Sequence, residues 1–214
     1  MRNRIHRTWG PMGLLLLAAA APTPAAAHHV MGGRLPSTFI EGLLSGLGHP
    51  VIGPDHLAFI VAIGIAGALL SDGLAIIAAF IACSTAGVLI HVARLDVPLS
   101  ETLVALSVLL AGAAMIWNSG MTRSSWLALA AVAGLFHGYA FGESIVGAER
   151  AALGAYLIGI AIVTTLVATV VMEVARKIMA PVAADSPRLR AAGMVLGAIG
   201  VVLLASSLVS VTTP

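Results

Sequence analysis

The sequence predicts an all-α integral membrane protein, a bundle of six transmembrane helices whose first member is broken near Pro50–Pro54. Three observations lead there. Hydrophobic residues make up 59% of the 214-residue chain and charged residues only 9%, against roughly 25% charged residues in soluble domains, which excludes a soluble enzyme. The apolar residues arrive in runs of about 20, the helical length that crosses the hydrocarbon core of a bilayer. Proline and glycine interrupt one of these stretches in its middle, at Pro50, Gly53 and Pro54, where a regular helix is hard to sustain.

Residues 1–27 read as a secretory signal. Arg2, Arg4 and Arg7 form a basic start, Met12 to Ala21 an apolar stretch, Pro22 and Pro24 breakers, and Ala25-Ala26-Ala27 a small-residue cleavage site. The mature chain is expected to begin near His28 and to form a single six-helix domain, 28–214. Segment 38–70 is too long for one simple helix and too short for two. It reads as a short helix over about 38–48, a break at 49–53 and a helix from about 54 to 70, with Pro54 in a first turn, where its missing N–H costs nothing. Five further spans follow at 73–93, 99–117, 126–146, 151–172 and 191–210, punctuated by Ser71-Asp72, Arg94-Leu95-Asp96 and Asn118-Ser119-Gly120.

With 38–70 counted as one crossing and the mature N-terminus outside, Arg123, Arg176, Lys177, Arg188 and Arg190 fall on the inner side. Arg34, Arg94 and Arg150 fall on the outer side. The bias has the sign expected of a bacterial-type inner membrane and leaves both mature termini facing outward. Glu173 is spaced to pair with Arg176 and Lys177 on one helix face. The net charge of +2 rests on the leader, which holds three of the eleven basic residues and none of the nine acidic ones. The remainder has a single lysine and no basic stripe, so nucleic acid is excluded as a partner. No Gly-x4-Gly-Lys-Ser/Thr loop is present, which excludes direct use of ATP. The one cysteine, Cys83, lies inside an apolar run and allows no intrachain disulfide.

Ionisable groups are costly in hydrocarbon, so those inside spans are functional candidates. One cluster is His49, Asp55 and His56, straddling the break. On a continuous helix His49 and His56 would share a face about 10 Å apart, too far to chelate together, but a broken segment can bring them close, as transporters do at the bilayer midplane. The plainer alternative is an acidic helix start at Asp55 with both imidazoles bonded to backbone carbonyls. The second cluster is Phe136-His137-Gly138-Tyr139-Ala140-Phe141-Gly142-Glu143. Gly134, Gly138 and Gly142 make a small-residue stripe on which another helix can dock, with His137 and Glu143 roughly 120° apart, one on either side of it. If the docked helix is the one beginning at Pro54, His49, Asp55, His56, His137 and Glu143 converge. Otherwise the stripe is a packing seam with His137 and Glu143 bonded to neighbouring helices. Imidazoles with carboxylates suit Ni²⁺, Co²⁺ or Zn²⁺ better than Cu(I) or Mg²⁺. His91, beside Arg94, reads as an interface residue and Cys83 as a small core residue. Glu41, near the outer surface, either attracts incoming cations or is simply solvated, and His28-His29 at the new N-terminus are either a first chelating group or an accident of the cleavage site.

At these residues the sequence resembles the HupE/UreJ family of hydrogenase- and urease-associated nickel permeases, in its leader, its six spans, and two motifs. The first motif runs from His49 to Asp55-His56 and the second from Phe136-His137-Gly138 to Gly142-Glu143. The resemblance implies metal handling by His49, Asp55, His56, His137 and Glu143, with Ni²⁺ or Co²⁺ as transported substrate and no permanently bound cofactor. The expected function is a non-enzymatic permease that imports the cation under the membrane potential. Two alternatives use the same residues differently, an intramembrane zinc hydrolase with Glu143 as base and a non-transporting accessory protein for metalloenzyme maturation.

Overall fold

The computed structural model describes residues 34–117, 121–178 and 186–212. The leader and His28-His29 lie outside the described residues. Within them the elements are α1 (Phe39–Ile52), α2 (Pro54–Ala68), α3 (Leu74–Val92), α4 (Ser100–Trp117), α5 (Arg123–Gly142), α6 (Arg150–Ile178) and α7 (Pro187–Thr212). Helices α3 to α7 are each long and apolar enough to cross a membrane. Helices α1 and α2, bent by 77° at one residue, make a sixth span when counted as one broken crossing. The chain is a multi-pass membrane protein.

The break is narrower than the expected 49–53. Helix α1 continues through His49 and Pro50 to Ile52, and only Gly53 leaves the helical conformation, at φ −74° and ψ 111°. Two effects explain this. Pro50 falls in the last turn of α1, where its missing N–H forfeits a single bond, and the Gly53 N–H still donates to the His49 carbonyl at 3.1 Å. Gly53 itself precedes Pro54, whose ring disfavours helical geometry in the residue before it. At the other end of α1, the Thr38 hydroxyl accepts the Glu41 N–H at 3.2 Å, and Glu41 Oε2 accepts from both the N–H and the hydroxyl of Ser37 at 2.9 Å. This is a variant of the capping box, and it engages the carboxylate that sequence reading offered as a first contact for metal.

Both halves of the broken span follow α6 in the same order. Gly42 lies on the Ala152 carbonyl, Gly46 on that of Tyr156, Gly64 on that of Ala168, and Gly67 against the Met172 sulfur. The pair therefore travels beside α6 as one interrupted crossing. The Gly134/Gly138/Gly142 stripe of α5 does receive a helix, but that helix is α3 and not the one beginning at Pro54. A Cβ at Gly138 would strike the Ser84 carbonyl, and Gly87 of α3 lies reciprocally on the Leu135 carbonyl. Small residues on both partners allow this approach. The large aliphatic and aromatic side chains of α2 fill the centre of the bundle instead, with Phe59, Ile60, Ala62, Ile63 and Ala66 almost wholly enclosed. Helices α3, α4, α5, α6 and α7 all touch α2.

Charges mark one end of the bundle. Arg123 binds Asp72 at 2.8 Å, the expected Glu173–Arg176 pair forms at 2.7 Å, and Arg176 also donates to the Leu70 carbonyl at 3.5 Å. These contacts gather the lower ends of α2, α5 and α6. The opposite end holds α1, the start of α6 and the end of α5. Helix α5 spans Arg123–Gly142 where 126–146 was expected, so Glu143 stands one residue beyond it, in a turn.

Candidate metal site

The break in the first span does bring the two histidines of the first motif together. Their ring centroids are 5.6 Å apart, within the reach of two imidazoles on one ion with metal–nitrogen bonds of about 2 Å. Asp55 lies in the first turn of α2, and its Oδ1 accepts the His56 N–H at 2.9 Å and lies 4.0 Å from His56 Nε2. With its side chain 26% exposed, Asp55 gives this otherwise enclosed group its open side. Phe141 of α5 packs against both rings, at 5.2 Å from His49 and 4.3 Å from His56.

His49 is held from α6 and the turn after α5. Its Nδ1 lies 2.7 Å from Ser144 Oγ and 2.9 Å from the Tyr156 hydroxyl. That hydroxyl donates to the Phe141 carbonyl at 2.7 Å, which uses its only proton, so toward His49 it accepts. A proton on His49 Nδ1 would satisfy that hydroxyl and leave the ring's lone pair on Nε2. Such outer partners fix the tautomer and orientation of metal-binding imidazoles. Neither Ser144 nor Tyr156 was singled out from sequence. The available signals were slight: Ser144 directly follows the second motif, and Tyr156 is one of two tyrosines in the chain.

His137 joins the group from α5. Its Nδ1 is 2.9 Å from His56 Nδ1, its Nε2 is 2.9 Å from Ser107 Oγ of α4, and it is wholly buried between the rings of Phe59 and Phe80. Three imidazoles thus form a contiguous row, His49–His56–His137, with Asp55 beside its middle member. Glu143 does not converge with them. It caps α5 through its backbone N–H, donated to Ala140, and its residue is exposed at the rim. Among the described residues no three His, Cys, Asp or Glu side chains are already arranged to hold a metal ion, so the expected five-group convergence is reduced to the imidazole row and one carboxylate.

His91, near the end of α3, packs against α5. It bonds the Tyr139 carbonyl through Nδ1 at 2.6 Å and stacks on the Tyr139 ring at 4.2 Å. The Tyr139 hydroxyl in turn accepts the Val97 N–H at 3.1 Å, tying the turn after α3 to α5. Cys83 is partly exposed beside the glycine seam, where its Cβ lies near Gly134.

The chain is similar to known proteins. The family model described as HupE / UreJ protein matches residues 15–203, which include every residue of the imidazole row. Among curated proteins, the chain is similar to Protein HupE of Rhizobium leguminosarum bv. viciae, at 27% identity over 158 residues, covering 73% of this chain and 76% of that protein. No solved structure matches the chain.

Proposed function

The chain belongs to the HupE/UreJ family, and from that premise we propose that it is a permease importing a divalent transition-metal cation, Ni²⁺ before Co²⁺, through the His49/Asp55/His56 group. The observation that carries this reading is the break at Gly53, which sets two imidazoles 5.6 Å apart and a carboxylate beside them inside an apolar span. Imidazole with carboxylate is a ligand set for a borderline metal, and a membrane protein has little reason to hold such groups in a span except to move or bind something.

The cation arrives from the outer end, past the exposed carboxylate of Glu143, and passes to Asp55 and the two imidazoles. A site of two or three donors differs from the closed four-ligand cage of a structural metal, and incomplete coordination suits a group that must release its cargo. The membrane potential supplies the work. A doubly charged cation moving inward through about 100 mV gains roughly 4.6 kcal/mol, sufficient for about a thousandfold accumulation. This direction places the Arg123, Arg176 and Arg190 end in the cytoplasm and both mature termini outside, in keeping with the loop charges.

Uptake of radioactive nickel into proteoliposomes of defined potential tests the reading, with Co²⁺ and Zn²⁺ as competitors. Uptake driven by an inside-negative potential and abolished by His56→Ala is expected. Folded protein that moves no cation at any potential would refute it.

A further inference from the structure

His137 lies within a motif that the family resemblance assigns to metal handling, yet its surroundings give it a different task. The ring is wholly buried, Phe59 and Phe80 pack against it, and both of its nitrogens are engaged, Nδ1 with His56 and Nε2 with Ser107. A cation could ligate it only by breaking one of those bonds and parting the phenyl rings.

The direction of each bond can be worked out from Ser107. Its hydroxyl donates to the Val104 carbonyl at 2.6 Å, one turn earlier on α4, and a hydroxyl has one proton. Toward His137 Nε2, at 2.9 Å, Ser107 Oγ therefore accepts, and the His137 proton is on Nε2. In a neutral imidazole, the form that can take part in a ligating site, the other nitrogen then carries the lone pair. His137 Nδ1 accordingly accepts from His56 Nδ1 at 2.9 Å. His56, with its proton on Nδ1, carries its own lone pair on Nε2, the nitrogen that faces Asp55 Oδ1 at 4.0 Å.

We propose that Ser107 is a positioning residue, acting through His137 to fix the tautomer of His56 so that its lone pair faces Asp55, and that His137 is the relay and not a ligand. The proposal rests on the permease reading only for its purpose, since the tautomers are properties of the protein without metal. It makes the two first-motif histidines equivalent. Each is held through Nδ1 by partners on other helices, His49 by Tyr156 and Ser144, His56 by His137 and Ser107, and each carries its lone pair on Nε2. One carbonyl of α4 thereby sets the ligating face of a residue on α2.

The test is ¹⁵N NMR of imidazole-labelled, metal-free full-length protein, paired with Ni²⁺ binding by calorimetry, for the wild type, Ser107→Ala and Ser107→Thr. Threonine in a helix can also bond the carbonyl one turn back, so it retains the acceptor. The wild type should show His137 protonated on Nε2 and His56 on Nδ1. Ser107→Ala should give mixed tautomers at both rings and an affinity about 10-fold lower, the lower end for loss of an outer-shell partner, and Ser107→Thr should restore both. Wild-type His137 protonated on Nδ1, or Ser107→Ala rings indistinguishable from wild type, would overturn the relay. Wild-type tautomers as expected in a protein that binds no Ni²⁺ would instead sink the permease reading and leave the relay standing.

Discussion

The two halves of the broken first span differ in almost every physical respect. Helix α1 buries one stripe, Gly42, Ser45, Gly46, His49 and Pro50, and exposes Phe39, Ile40, Leu44, Val51 and Ile52. Helix α2 is enclosed along nearly its whole length and touches all six other helices. Helix α1 packs mainly on α6. The site lies where the peripheral half meets the central one, with His49 on the first and Asp55 and His56 on the second. A cation bound there would be held between a peripheral element and a central one.

This contrast can be broken by adding volume on either side. Gly64 of α2 faces the Ala168 backbone and the Val171 side chain, both under 3 Å from where a Cβ would sit. Gly64→Val should therefore cost about 3 kcal/mol of stability, the upper range for overpacking. Its thermal midpoint and its nickel uptake should fall together. Gly46 of α1 lies on the Tyr156 carbonyl, and Gly46→Ala should push α1 outward with a stability cost of about 1 kcal/mol. Because that shift separates His49 from Tyr156 and Ser144, nickel affinity should drop by about 10- to 100-fold. Equal loss of stability in the two variants, measured by thermal unfolding in detergent, would erase the distinction between the halves.

Smaller changes sharpen it. Tyr156→Phe removes one of the two hydroxyls on His49 Nδ1 while Ser144 remains, so calorimetry should show nickel affinity lowered about 10-fold with little change in unfolding temperature. Uptake should also depend on pH with a definite sign. Protonation removes the lone pair with which an imidazole ligates, so uptake is full at neutral pH and declines as pH falls below about 6. A flat profile from pH 7 to pH 5 in potential-clamped vesicles would argue against imidazole ligands. The smallest effect belongs to Gly154, on the same helix as Tyr156 but with nothing within 4 Å of an added Cβ. Gly154→Ala should leave uptake unchanged and alter stability by less than about 1 kcal/mol, in the favourable direction for a helix.

Much of this was legible in the sequence, for identifiable reasons. Apolar length alone located the five unbroken spans, and Pro50, Gly53 and Pro54 located the broken one. The first-motif cluster was recognisable because ionisable residues in a span are conspicuous. Which helix fills the Gly134/Gly138/Gly142 stripe was not legible, since any helix with small residues satisfies a glycine seam, and α3 supplies Gly87 and Ser84. Nor was the end of α5 at Gly142, which leaves Glu143 as the cap beyond the helix. Ser107, Ser144 and Tyr156 were missed because a hydroxyl in an apolar run looks the same whether it bonds its own helix backbone or, as Ser107 does, its backbone and a histidine 30 positions away.

The claim that the break assembles a cation site from both halves is tested most directly by X-ray absorption at the nickel edge on the loaded, purified protein, counting imidazole ligands. Two are expected in the wild type and one in either His49→Ala or His56→Ala. A count unchanged by both substitutions would place the metal elsewhere and contradict the claim.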